Sequence, residues 1–151
     1  SPCRPCSRGS VSLSNSEYRT PAIIQPNYLS SAEDVDNIIQ GARFVAKLAQ
    51  SCAFVSMLTD SINNDLSAKS DDDLLQQFKE QGGSIYHLCG SCAIGVNDKI
   101  SVVDASLKVH GLKGLRVIDA SVFPNIVSGN INAATMMVAE KGAAHIIQDY
   151  K

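Results

Sequence analysis

The 151-residue chain has the length of one domain, with 44% apolar residues, 19% charged residues and a formal net charge of −2. That composition suits a globular protein with a real core. It carries no basic stripe of the kind a phosphate backbone demands, which argues against a nucleic-acid partner. It also has no run near the roughly 20 apolar residues that cross a bilayer, which argues against a membrane partner.

Along the chain, Ser1 opens the sequence without the charged-then-apolar layout of a signal peptide, and no compartment is assigned. Ser10-Val11-Ser12-Leu13 alternates polar and apolar and predicts a short half-buried strand. Ile23 and Ile24, between Pro21 and Pro26, read as a rigid connector. Ser30 with Glu33 forms a capping-box pattern. It opens a helix whose apolar face is Val35, Ile38, Ile39, Ala42, Val45, Ala46 and Ala49. Ser70 followed by Asp71, Asp72 and Asp73 starts a second helix, because acidic side chains complement the positive end of the helix dipole. Leu74, Leu75 and Phe78 continue it and Gly82-Gly83 ends it.

From Ser84 onward, β-branched residues with glycine punctuation predict strands at 100–103, 107–109 and 115–118. A last long helix is expected over 132–148, burying Ala133, Met136, Met137, Ala144 and Ile147, with Glu140 near that face and in need of a partner. The whole reads as α+β.

Five cysteines form two Cys-x-x-Cys pairs, Cys3/Cys6 and Cys89/Cys92, plus Cys52. Two such pairs can hold a tetrahedral zinc ion, although the gap here far exceeds the usual spacing. His145 and His110 read as surface, capping or turn residues. His87 sits among small residues, in Ser84-Ile85-Tyr86-His87-Leu88-Cys89-Gly90-Ser91-Cys92-Ala93-Ile94-Gly95, as occurs where backbone approaches a ligand closely.

The stretch from His87 to Gly95 resembles the pattern His-Pro-x-Gly-Thr-Cys-x-Met-Gly of glucose–methanol–choline (GMC) flavin oxidoreductases. Val102-Val103-Asp104, Leu107 to Gly111, Gly114 to Ser121, Ser128 to Ala133 and Ala139-Glu140-Lys141 follow that family in the same order. Ser7-Arg8-Gly9 and Pro26-Asn27-Tyr28-Leu29 are similar to its substrate-domain entry.

The resemblance implies substrate-domain elements, an antiparallel sheet with covering helices, over residues 1–101. A C-terminal return segment over 102–151 would then pack on a flavin-binding domain. It implies no complete Rossmann flavin-binding domain here, since no Gly-x-Gly-x-x-Gly occurs in the sequence. It further implies His87 as the base for an alcohol hydroxyl, and Asn130 as a second catalytic residue bonding the substrate oxygen. Asp119 and Ala120 would lie near the ribityl and pyrophosphate of FAD, and Asn132 beside its ring system.

Leu88, Ser91 and Ile94 replace the family's proline, threonine and methionine without removing a proposed catalytic atom. The expected partners are a small alcohol and a flavin-binding half, on another chain or in a region not included here, or a second copy. Two alternatives stand beside this reading. One is a shortened protein with a flavin-free isomerase, lyase or cyclase role for His87, or with none. The other is a zinc-stapled binding module.

Overall fold

The computed structural model describes residues 4–57 and 68–151. The chain divides into two compact units, Ser1–Gly9 with Gln25–Ser84, and Ser10–Ile24 with Ile85–Lys151. Strand β1 (Ser10–Ser12) pairs with β2 (Ile23–Gln25) in a two-stranded sheet. The Ile23-Ile24 segment is thus a strand and not a connector, because pairing with β1 satisfies its backbone better than an isolated extended stretch could.

In the first unit, α1 (Ala32–Ala49) packs on α2 (Cys52–Val55) and on α3 (Asp71–Gln81). Ile38 and Ala46 are buried, and Val35, Ile39, Ala42 and Ala49 are half-buried, as the periodicity predicts; Val45 is exposed.

The start of α1 differs from the Ser30/Glu33 pattern. Ser31 is the N-cap and makes no side-chain cap bond. Its amide donates instead to the Ser7 hydroxyl at 3.1 Å. That hydroxyl in turn donates to the Asp34 carboxylate, which also accepts the amides of Cys6 at 2.8 Å and Ser7 at 2.7 Å. Asp34 is almost fully buried. Burial works to raise its carboxyl, but the Ser7 hydroxyl, the two amides and the charge of Arg8 outweigh it and leave it below the ordinary 3.8.

Helix α3 follows its sequence signal closely. Ser70 accepts from the Asp73 amide and Asp73 reaches back to the Ser70 amide, a complete capping box. Leu74 is buried and Leu75 and Phe78 are half-buried, as expected.

The second unit is irregular. A core of Val103, Leu107, Val122 and Val138 is surrounded by Ile94, Val102, Val109, Val117, Ile118 and Phe123. The strands expected at 100–103, 107–109 and 115–118 reduce to isolated bridges, Ile94 with Val103, Val103 with Val109, and Lys108 with Arg116. Leu107, at φ 64°, takes the left-handed backbone, which breaks any strand through it while its side chain fills the core.

Helix α4 (Asn132–Asp149) packs on a 3₁₀ turn, Ala120–Val122. Its inward face is Val138 and Gly142, with Ala134, Thr135 and His145 half-buried. This corrects the expected face. Met136 and Met137 are each 58% exposed, Ile147 and Ala144 are also exposed, and Glu140 lies in solvent. The reason is close approach: a Cβ on Gly142 would sit 2.6 Å from Ile118 Cγ2. The smallest residue faces inward because the helix lies tight against Ile118, which turns the methionines outward.

Candidate active site

The His87 segment follows α3 through extended chain, and Tyr86 just before it takes a left-handed φ of 62°. His87 is half-buried. Beyond it the segment is pinned by backbone. The amides of Gly90 and Cys92 donate to the same acceptor, the Ser121 carbonyl, at 3.1 and 3.0 Å, and the amide of Ile94 donates to the Val122 carbonyl at 2.8 Å. Gly90, at φ 95°, provides the left-handed residue that this curl requires.

The same 3₁₀ turn is capped by Asp119. Its Oδ1 accepts the Ser121 amide at 2.8 Å and the Ser121 hydroxyl at 2.5 Å. Asp119 is exposed and Ala120 half-buried. The structure therefore ties the stretch carrying His87 to the stretch carrying Asp119 and Ala120 by three backbone hydrogen bonds.

Asn130 and Asn132 lie at the start of α4, the helix that packs on this turn. Asn132 is the first residue of α4 and Asn130 stands two residues earlier; both are exposed. No side chain caps the helix N-terminus, so its positive dipole end lies beside the two asparagines. Among the described residues no hydrogen bond joins His87 to Asn130.

At the far end of the pinned segment, the Gly95 amide donates to the Val103 carbonyl at 2.9 Å. His110 Nε2 lies 3.1 Å from the Gly95 carbonyl and 3.3 Å from Ser101 Oγ, and the Ser101 hydroxyl donates to the Asn97 carbonyl at 2.6 Å. A carbonyl only accepts, so the proton belongs on Nε2. His110 is thus a clamp on this segment, a role its turn-like sequence setting does not signal. His145 is not a surface residue either: its Nε2 is buried without a hydrogen-bond partner. The other element missed in the sequence is the Ser121 carbonyl, because a main-chain acceptor leaves no residue-type signal.

Asp104 is held below the ordinary carboxylate value. The Lys108 amide is the main cause, opposed by burial and helped by the Ser106 amide and the charges of His110 and Lys108. An apolar cleft of about 250 Å³ opens beside the core, lined by Ile94, Leu107, Val122, Phe123, Met137 and Val138 among others.

For the zinc alternative, Cys3 lies outside the described residues, and no cluster of three or more metal-ligating side chains occurs among the described ones. No helix among the described residues is long and apolar enough to cross a membrane.

In one unit, then, the stretch after His87 is pinned to a capped 3₁₀ turn on which a helix with an uncapped start packs. The particular family follows from direct comparison. The GMC oxidoreductase model matches residues 5–139, and the chain belongs to the GMC oxidoreductase family, as its C-terminal segment. It is 36% identical over 144 residues to an alcohol dehydrogenase [acceptor] of Pseudomonas putida, covering 95% of this chain and 26% of that protein. An oxygen-dependent choline dehydrogenase of Brucella anthropi is 37% identical over 147 residues, with 97% and 27% covered.

Among solved structures, an Aspergillus oryzae formate oxidase studied for FAD modification superposes with a TM-score of 0.81 at 28% identity. That match covers 93% of this chain and 25% of the oxidase. The chain thus spans about a quarter of the length of the relatives it matches. Its small antiparallel sheet and helices are those of the family's C-terminal region.

Proposed function

We propose that this chain forms the substrate-side wall of an FAD-dependent GMC enzyme that oxidises an alcohol, with His87 as the base. The observation that carries the reading is the joint at Ser121. One carbonyl holds the amides of Gly90 and Cys92 and so fixes the His87 segment against the turn bearing Asp119 and Ala120.

An imidazole has an ordinary pKa near 6.5 and can take a hydroxyl proton at neutral pH. Asn130 donates an amide N–H to the substrate oxygen in either protonation state but is no base, which leaves the proton to His87. FAD, when bound, supplies the hydride acceptor. The residues present suit one side of such a group. Exposed Asp119 and Asn132 offer polar contacts, half-buried Ala120 permits close approach, and the open N-terminus of α4 presents a positive field to an electron-rich ring. The sequence has no Gly-x-Gly-x-x-Gly to cradle the pyrophosphate, so that contact belongs to a flavin-binding half.

Exposed apolar side chains support the need for that half: Phe44, Leu48 and Phe54 in the first unit, Met136, Met137 and Ile147 in the second. In this reading those surfaces pack on the flavin-binding half. The test is His87→Ala in the complete flavoprotein. Turnover should fall about 100- to 10,000-fold with flavin retained, and an unchanged rate removes His87 from the mechanism.

A further inference from the structure

We propose that the apolar cleft beside the second unit's core binds a small aliphatic carboxylate, chain inward, with the Lys141 ammonium holding its charged end. The site belongs to the chain as it stands and does not rest on the function proposed above.

The cleft lies wholly within the second unit and holds about 250 Å³. Leu107, Val122 and Val138 line it and belong to the buried core. Packing fixes those walls, so no side chain has to be ordered to form the cleft when a ligand arrives. Ala105, Met137 and Lys141 also line it and are exposed, so they stand at its opening. Drug-sized ligands occupy roughly 300–1,000 Å³. The cleft is smaller than that, which points to a small molecule.

The lining decides the chemistry. Every lining side chain but one is hydrocarbon or thioether, which rewards burial of an alkyl chain and offers it no strong hydrogen bond. The exception is Lys141. Among the described residues its ammonium makes no hydrogen bond or ion pair, whereas Lys108 of the same unit is committed to Asp149 at 2.7 Å. A free cation at the mouth of an apolar cleft selects an anion that carries an apolar body. One ammonium is a point charge with three donors, enough for a single carboxylate. A phosphate group, with more charge and more oxygens, calls for more donors than the cleft presents. The carboxylate stays at the exposed rim and keeps part of its hydration, which avoids the cost of burying a charge.

An exposed ion pair is worth little by itself. Affinity therefore comes from the alkyl chain, and the preference for an anion comes from Lys141. Octanoate should bind with a dissociation constant on the order of millimolar. Each methylene removed should weaken it about fourfold.

The test is a titration of the 151-residue chain with sodium octanoate, followed by the methyl resonances of its methionines. Met136 and Met137 are adjacent and each 58% exposed, but of the two only Met137 lines the cleft. Met137 should shift saturably while Met136 stays in place. Octanol, the same chain without the charge, should bind about fivefold more weakly, and Lys141→Met should remove that preference. Ala105→Phe, a change at an exposed position, should fill the opening and abolish the Met137 shift. No saturable shift at Met137 overturns the site. Equal shifts at both methionines do so too, since they mark detergent-like adsorption, as does a Met137 shift that survives Ala105→Phe. Octanol binding as tightly as octanoate, or a preference that outlasts Lys141→Met, overturns the carboxylate.

Discussion

The two units of this chain are held in different ways. The first is made of regular helices, and its key tie is a side chain: the buried Asp34 carboxylate gathers the Cys6 and Ser7 amides and the Ser7 hydroxyl, which itself caps α1. The second has one long helix and otherwise irregular chain, and its key ties run from main chain to main chain around a small core. The unit with less regular structure is the one that carries the candidate site. Regular elements commit their backbone groups internally, whereas an irregular segment must spend its amides on other segments. Those bonds tie the stretch after His87 to the turn that follows Asp119.

Substitutions can break or sharpen this contrast. The largest effect is expected from Leu107→Ala, which empties a core position that is 4% exposed. It should cost about 2–5 kcal/mol and speed amide exchange at Gly90, Cys92 and Ile94. Unchanged protection there would mean that the core does not support the pins.

Next comes Asp34→Ala, which leaves the part-buried Cys6 and Ser7 amides without their acceptor and should cost about 1–3 kcal/mol, read as faster exchange at the start of α1. The same carboxylate predicts a pH dependence. Its folded pKa lies below the unfolded value, so its stabilising contribution is complete above the ordinary 3.8 and is lost as pH falls through the lower folded value. An acid titration followed by circular dichroism should show that loss, and Asp34→Asn should flatten it.

Gly142→Ala should be smaller. The new Cβ meets Ile118 Cγ2 at 2.6 Å, a cost of about 1–3 kcal/mol from overpacking. Roughly 1 kcal/mol of helix propensity offsets it. A net stabilisation in urea unfolding would show that α4 can shift away from Ile118. The smallest effect belongs to Arg43→Ala. It removes an exposed ion pair of 2.6 Å with Asp71 and should change stability by less than about 1 kcal/mol.

How much of this was legible in the sequence depended on how far apart the cooperating residues lie. Ser70 and Asp73 are neighbours on one turn, and their capping box was readable. The cap of α1 was not, because its hydroxyl comes from Ser7, 24 residues earlier. Apolar periodicity placed the inward side of α1 well except at Val45. It misplaced that of α4, where the fit of Gly142 against Ile118 decided the matter and hydrophobicity did not. The β-branched stretches at 100–103, 107–109 and 115–118 signalled extended chain correctly in part. The left-handed Leu107 that divides them has no residue-type signal, since leucine rarely adopts that backbone. Family membership was legible in the ordered blocks from His87 to Lys141. The Ser121 joint between them was not.

That joint also has a consequence for mutability. Its three donors are the main-chain amides of Gly90, Cys92 and Ile94, and its acceptors are main-chain carbonyls. A substitution at Leu88, Ser91 or Ala93 changes a side chain and leaves every pin in place. Libraries that vary those positions should therefore yield mostly folded proteins. Proline at 90, 92 or 94 removes a donor outright, so these three backbone positions mark the limit of what such a library can explore.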